Sequence, residues 1–220
     1  MKNLFIIGNW KSNETTHESK EWISAFPISH LQSPHKSIIL CPPFSLLSEM
    51  KQLIEEKKLP IFLGSQDFSA FESGAHTGEE SPALLKEFVS YTIVGHSERR
   101  KELGETDTLI AQKVSMAKEF GIQAILCVQG KETPIPEGVT LVAYEPIFAI
   151  GSGHPDTPEN AESVIQAIKE TNPQVKYVLY GGSVTPENVS TFTQMPSIDG
   201  VLVGGASLDP EKFAQIIEHA

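Results

Sequence analysis

Three side chains capable of acid–base and charge chemistry each stand just beyond a short apolar run. Lys11 follows the run at 4–7, His96 follows 91–94, and Glu145 follows 141–143. A glutamate set between Tyr144 and Pro146 reads as a base shielded from water. His96 precedes Ser97-Glu98, which reads as the start of a short helix. A helix N-terminus disfavours the imidazolium, so this ring is expected to be neutral and to act as a hydrogen-bond donor. Lys11 supplies a positive charge where an anionic ligand would sit. Two glycine pairs, Gly181-Gly182 before Ser183 and Gly204-Gly205, also follow apolar runs and can offer backbone N–H groups to a phosphate. Each feature has a plainer reading: a solvated lysine, a structural histidine, a glutamate paired with a cation, glycines that only turn the chain. What favours chemistry is that all of them follow runs of one kind.

Those runs are the elements that must position the site. Eight short segments rich in Ile, Val and Leu recur at 4–7, 38–41, 61–63, 91–94, 124–128, 141–143, 177–180 and 201–203. They are continuous and not alternating, as in strands buried on both faces. Amphipathic stretches lie between most of them, at 16–26, 44–57, 107–120, 160–169 and 209–218. Gly121 is placed to stop the third, and Pro210 suits a first helical position. Alternating strands and helices joined by short loops imply right-handed crossovers and a parallel sheet. Eight such units predict a single α/β domain over 1–220, a closed (β/α)8 barrel. It would be compact, since such barrels run to about 250 residues. The shortage falls between Val128 and Val139, where two prolines leave no room for a helix, so the fifth crossover is expected to be a loop. In such a barrel the active groups lie on loops after the strands, and glycines after strands seven and eight often bind phosphate. An apolar tip, Ile147-Phe148-Ala149-Ile150, ends in Gly151-Ser152-Gly153 and reads as a loop that closes over a ligand and excludes water.

With 17 Lys+Arg against 28 Asp+Glu, the formal charge is −11. That field repels nucleic acid and anionic membranes, so neither is expected as a partner, and any phosphate must be held by local donors. Two cysteines, Cys41 and Cys127, are too few for a disulfide framework and show no metal-ligand spacing. The apolar run at 4–7 is too short for a signal-peptide core, and no uncharged apolar stretch approaches a membrane span. A cytoplasmic location is expected.

Five motifs, in order, resemble the triosephosphate isomerase family: Asn9-Trp10-Lys11, Gly95-His96-Ser97-Glu98-Arg99-Arg100, Ala143-Tyr144-Glu145-Pro146, Tyr180-Gly181-Gly182-Ser183-Val184 and the segment Gly200-Val201-Leu202-Val203-Gly204-Gly205-Ala206-Ser207-Leu208. The likeness runs from residue 3 to the C-terminus. It implies a TIM barrel that interconverts dihydroxyacetone phosphate and glyceraldehyde 3-phosphate without metal or organic cofactor. Glu145 would then move a proton between adjacent carbons, and neutral His96 would polarise the carbonyl oxygens. Lys11 would stabilise enediolate charge, Asn9 would help place the substrate, and Gly151, Ser183, Gly204 and Gly205 would hold the phosphate. Glu98 would orient Lys11. The family is itself the standard example of this acid–base pair and of lid closure. Gly74-Ala75-His76-Thr77-Gly78-Glu79 resembles the family's interface loop, so Thr77 would reach a neighbouring subunit in a homo-oligomer, a dimer first and a tetramer as the alternative. The chain departs from the family at Phe148 (usually tryptophan), Ser152 (commonly threonine), His154-Pro155 (often a lysine) and Gln129-Gly130, where a supporting carboxylate is missing. The trimmed fifth and shorter sixth crossovers resemble compact archaeal members. The rival readings are an isomerase or lyase for another phosphosugar, and an inactive barrel that only binds one.

Overall fold

Eight strands, all paired in parallel with their sequence neighbours, close on themselves because β1 also pairs with β8. The computed structural model describes residues 2–27, 35–151 and 153–220; the expectation for Ser152 lies outside them. The strands are β1 (Leu4–Asn9), β2 (Lys36–Cys41), β3 (Ile61–Ser65), β4 (Tyr91–Val94), β5 (Gln123–Val128), β6 (Leu141–Tyr144), β7 (Tyr177–Tyr180) and β8 (Gly200–Val203). Alternate residues face inward. Ile7, Ile39, Ile93, Ile125, Leu141, Leu179 and Leu202 fill the barrel with Cys41, Cys127 and Ala143, all buried. Their neighbours face the helices and join a larger outer core. Both faces of the strands are therefore largely dry, Phe62 on β3 being the exposed exception, which is why the runs carry no polar alternation. Closure is tight at the β1–β8 seam. Gly200 has φ 144°, and a Cβ there would lie 2.0 Å from the Phe5 carbonyl oxygen, so only glycine fits.

The helices are α1 (Thr16–Ala25), α2 (Leu47–Lys57), α3 (Pro82–Leu85), α4 (Ser97–Glu102), α5 (Asp107–Phe120), α6 (Pro158–Thr171), α7 (Val189–Thr193) and α8 (Pro210–His219). The ends carry chemistry that fixes them. Thr15 and Glu18 form a reciprocal capping box on α1, Thr106 caps α5, and Gly121 ends α5 at φ 72°. Asp209 accepts the Glu211 and Lys212 N–H groups ahead of Pro210. Several boundaries differ by a few residues from the sequence reading, and two of the helix starts have a local cause. The stretch at 44–57 opens with a 3-10 turn, Phe44–Leu46, before α2 begins at Leu47. Helix α6 starts at Pro158 and not at Asn160, because Thr157 is the cap that accepts the Asn160 N–H. The segment 129–140 between β5 and β6 contains no helix. It crosses as a loop pinned by the Gln129 N–H on the Thr133 hydroxyl at 3.1 Å.

One buried polar cluster braces the mouth of the barrel. Lys113 on α5 is 4% exposed, and its Nζ lies 2.6 Å from both Asp67 Oδ1 and Glu105 Oε1. Arg99 on α4 reaches the same two carboxylates, at 2.7 Å and 2.8 Å. The alternating charges tie α4 to α5 and to the loop after β3. Removing one partner would strand the others, at a cost of about 3–5 kcal/mol. Because α4 carries Glu98 and is capped by His96, this cluster holds part of the site in place. Among the described residues, no helix is long and apolar enough to cross a membrane.

Cys41 and Cys127 are completely buried in the barrel. Burial pushes both thiols up, and for Cys127 the nearby Glu145 carboxylate adds to the effect. A neutral, inaccessible thiol does not react with disulfide reagents. The native protein should therefore leave an aromatic disulfide reagent unreacted at mildly alkaline pH, and the chain unfolded in denaturant should release two equivalents. Rapid labelling of the native state would contradict this packing.

Candidate active site

The ends of β1, β4, β6, β7 and β8 open into one cavity of about 230 Å3, lined among others by Asn9, Lys11, His96, Glu145, Gly151, Ser183, Gly204 and Gly205. Asn9 is the last residue of β1, and its side-chain carbonyl accepts the Lys11 N–H at 3.0 Å. That contact turns the chain sharply and leaves Lys11 at φ 53°. Gln66 secures the turn by donating to the Lys11 carbonyl at 2.8 Å and to the Cys41 carbonyl at 3.0 Å. Trp10 is wholly buried, with its indole N–H on the Ser207 carbonyl at 3.1 Å. The loops after β1 and β8 are thus joined beneath the cavity. The Lys11 ammonium meets Glu98 Oε1 across the mouth.

His96 is the cap of α4, and its Nδ1 accepts the Glu98 N–H at 3.3 Å. A nitrogen that accepts carries no proton, so the ring is the neutral tautomer with hydrogen on Nε2. That Nε2 lies 2.9 Å from Glu145 Oε1. The second carboxylate oxygen, Oε2, accepts the Ser97 N–H at 3.0 Å. Glu145 is 1% exposed. Its own N–H is spent on the Val128 carbonyl at 2.8 Å, so the end of β5 fixes the backbone from which the carboxylate projects. A buried carboxylate whose partners among the described residues are an imidazole, a backbone N–H and the Cys127 thiol is a competent base once the imidazole and the N–H let go.

The glycine-bearing loops run beside these groups: a Cβ at Gly204 would lie 3.7 Å from Lys11 Cε, and one at Gly181 would lie 3.2 Å from Glu145 Cγ. Ser183 sits at φ 44°, with its carbonyl held by the Asn188 amide at 3.0 Å and its hydroxyl donating to the Ala149 carbonyl. After β8, the Ser207 N–H closes on the Gly204 carbonyl at 2.8 Å, and a side chain at Gly205 would meet nothing within 4 Å. Backbone therefore borders open space at this end.

The sequence-predicted residues do not all meet. Glu98 stands beside the cavity, in contact with Lys11 and not in its lining. Thr77 lies elsewhere, in an exposed loop bordering a separate hollow with Phe71, His76 and Arg99. Given no role by the sequence reading were Val184, Thr185, Leu202 and Ala206 in the lining and the Cys127 thiol against Glu145. Position after a strand was the available signal for Ala206; for the thiol there was none.

A family profile described as "Triosephosphate isomerase" matches residues 4–140 and 136–220. Among curated proteins, the triosephosphate isomerase of Thermus thermophilus is 37% identical over 255 aligned positions, covering all of both chains. That of Nostoc punctiforme is 39% identical over 242 positions, covering 99% of this chain and 98% of the relative. That of Gloeothece citriformis is 40% identical over 246 positions with both chains fully covered. Alignments longer than the 220 residues of this chain mean that it carries gaps, in keeping with the loop where a fifth crossover helix would stand. With matches of this length falling on a barrel whose strand ends converge on one lysine, histidine and glutamate, the chain belongs to the triosephosphate isomerase family.

Proposed function

We infer that this chain is an aldose–ketose isomerase that interconverts dihydroxyacetone phosphate and D-glyceraldehyde 3-phosphate, a step of glycolysis and gluconeogenesis, with a cytoplasmic location to match. The observation that carries the mechanism is the 2.9 Å contact between Glu145 Oε1 and His96 Nε2 in a cavity only large enough for a small ligand. Substrate entering between these groups takes over the His96 N–H with its carbonyl oxygen. The carboxylate, freed from the imidazole and from the Ser97 N–H, removes a proton from the adjacent carbon. The electron pair moves onto oxygen, giving an enediolate whose negative charge faces the His96 donor and the Lys11 ammonium. The protonated Glu145 returns the proton to the neighbouring carbon, and His96 relays hydrogen between the two oxygens. Atoms balance without any redox partner.

The remaining roles follow from position. Asn9 and Lys11 place the substrate, while Gly151, Ser183, Gly204 and Gly205 surround its phosphate. Among the described residues lining the cavity, Lys11 is the one lysine or arginine, and Glu98 holds it pointed inward. The apolar tip after β6 is the lid: Ile147 and Phe148 are 66% and 63% exposed, apolar surface that closure would cover.

A homo-oligomer, a dimer in the first instance, is part of the same reading. Thr77 stands on a projecting loop beside Phe71, which is 53% exposed and stacked on His76 at 4.4 Å. A hollow of about 210 Å3 opens next to Lys11 and Glu98. The loop of a second copy fits there, with Thr77 backing the lysine. Sedimentation velocity should give at least twice the 24.1 kDa chain mass; a monomer that turns over fully would contradict the role given to Thr77.

Purified protein should isomerise glyceraldehyde 3-phosphate in an assay coupled to dihydroxyacetone phosphate reduction. Glu145→Gln should lower kcat by roughly 10²–10⁴-fold with little change in substrate affinity, and activity within tenfold of wild type would place the base elsewhere. Nitrogen-15 NMR at neutral pH should show the His96 ring with one protonated nitrogen, Nε2, and one bare nitrogen. An imidazolium pattern would remove the neutral electrophile from the mechanism.

A further inference from the structure

The two tryptophans of the chain spend their indole N–H groups on one atom. Trp10, in the loop after β1, and Trp22, on α1, each donate to the Ser207 carbonyl at 3.1 Å. A carbonyl oxygen has two lone pairs, and here both are taken. Ser207 belongs to the 3-10 turn Gly205–Leu208 that follows β8, and it is completely buried. Its N–H and its hydroxyl both return to the Gly204 carbonyl, at 2.8 Å and 2.7 Å. The turn is thus closed on itself through Gly204 and gripped from outside at the Ser207 carbonyl.

Trp22 lies 185 positions from Ser207 in the sequence and is 3% exposed. Seating α1 on the barrel needs no polar group, since Ile23 and Phe26 beside it bury carbon alone. An indole N–H in such a place is unfavourable unless it finds an acceptor. The acceptor it finds belongs to the turn that carries Gly205 and Ala206 into the cavity lining. The ring itself is held firmly: its centroid is 4.8 Å from that of Phe26 in a stack, 5.3 Å from that of Trp10 and 6.1 Å from that of Phe213. With the Trp10 N–H alone, the carbonyl could swing about a single bond. A second donor from a different element removes that freedom. Gly8 lets the turn sit close to β1, for a Cβ there would lie 3.1 Å from Ser207 Cβ.

We propose that Trp22 is a positioning residue for phosphate recognition: acting through the Ser207 carbonyl, it holds the turn after β8 in one orientation, so that Gly204 and Gly205 meet the phosphate in one arrangement. The proposal rests on the isomerase reading above, in which those two glycines surround the phosphate. Apparent affinity scales with the fraction of molecules whose site is correctly formed. Phosphate is held alike in the ground state and the transition state, and losing uniform binding of that kind raises KM without lowering kcat.

The test is steady-state kinetics with glyceraldehyde 3-phosphate, competition by inorganic phosphate and thermal unfolding, all on the full chain. Trp22→Phe keeps an aromatic ring in the stack and loses the N–H. It should raise KM and the inhibition constant of phosphate about fivefold, the scale of one buried hydrogen bond, with kcat within about twofold of wild type. Replacement of Trp22 by benzothienylalanine, which keeps the indole shape with sulfur in place of the N–H, should raise both by the same factor. In nitrogen-15 NMR of the wild type, the Trp22 indole N–H signal should shift as phosphate fills the site. Unchanged KM and phosphate inhibition in the benzothienylalanine protein overturn the proposal. So does a Trp22 signal that stays still while the Gly204 and Gly205 amides move. A lowered melting temperature at wild-type KM in Trp22→Phe, the signature of a packing residue, overturns it as well. Should Trp22→Phe not fold, the benzothienylalanine protein decides. A wild type that binds phosphate without isomerase activity would instead overturn the catalytic reading, so the two failures are distinct.

Discussion

A carboxylate and a neutral imidazole, 2.9 Å apart and almost without water, are the contact on which the site depends. They come from β4 and β6, which are not adjacent; β5 lies between them and sets the gap. The Val128 carbonyl at the end of β5 fixes the Glu145 backbone, and Cys127 packs its thiol beneath the carboxylate. On the other side, α4 begins at Ser97, so the first amides of that helix supply both the proton that keeps His96 Nδ1 occupied and the donor on Glu145 Oε2. Barrel closure, helix capping and burial thus meet at one pair of side chains.

The cavity holds an anion against the field of the whole chain. The chain carries eleven more negative than positive formal charges, a field that opposes an anionic substrate at long range. Lys11 answers it locally, turned toward the cavity by Asn9 and Gln66 and met by Glu98. The wall beside it is built from backbone after β7 and β8, where glycines leave the chain bare. The cluster of Lys113, Arg99, Asp67 and Glu105 works at one remove, since it fastens the helix that carries Glu98 and is capped by His96.

The strands were legible in the sequence because a parallel barrel leaves them largely dry on both faces, and runs such as 124–128 show it without alternation. Site residues were legible for a related reason: barrels place chemistry after strands, so Lys11, His96 and Glu145 announced themselves by position. Elements too short to show a period were not legible. Helix α3 has four residues and α7 has five, less than two turns each. The start of α6 was misplaced although Thr157-Pro158 is a recognisable cap and first-turn pair. Contacts distant in sequence left no local trace. Lys113 looked like one polar residue on an amphipathic helix, yet its carboxylate partner Asp67 lies 46 positions away. Asp156 is of the same kind, since nothing in its neighbourhood says that a tyrosine on β7 receives its N–H.

The most direct test of the paired carboxylate and imidazole is the fate of hydrogen during turnover in deuterium oxide. Dihydroxyacetone phosphate should give glyceraldehyde 3-phosphate bearing deuterium at C2, the carbon that receives its hydrogen from the Glu145 carboxyl group, and at no other carbon, as read by proton NMR of the trapped product. Product that retains full protium at C2 at every stage would mean that hydride passes directly between the carbons, and a base facing a neutral imidazole would have no part in the reaction.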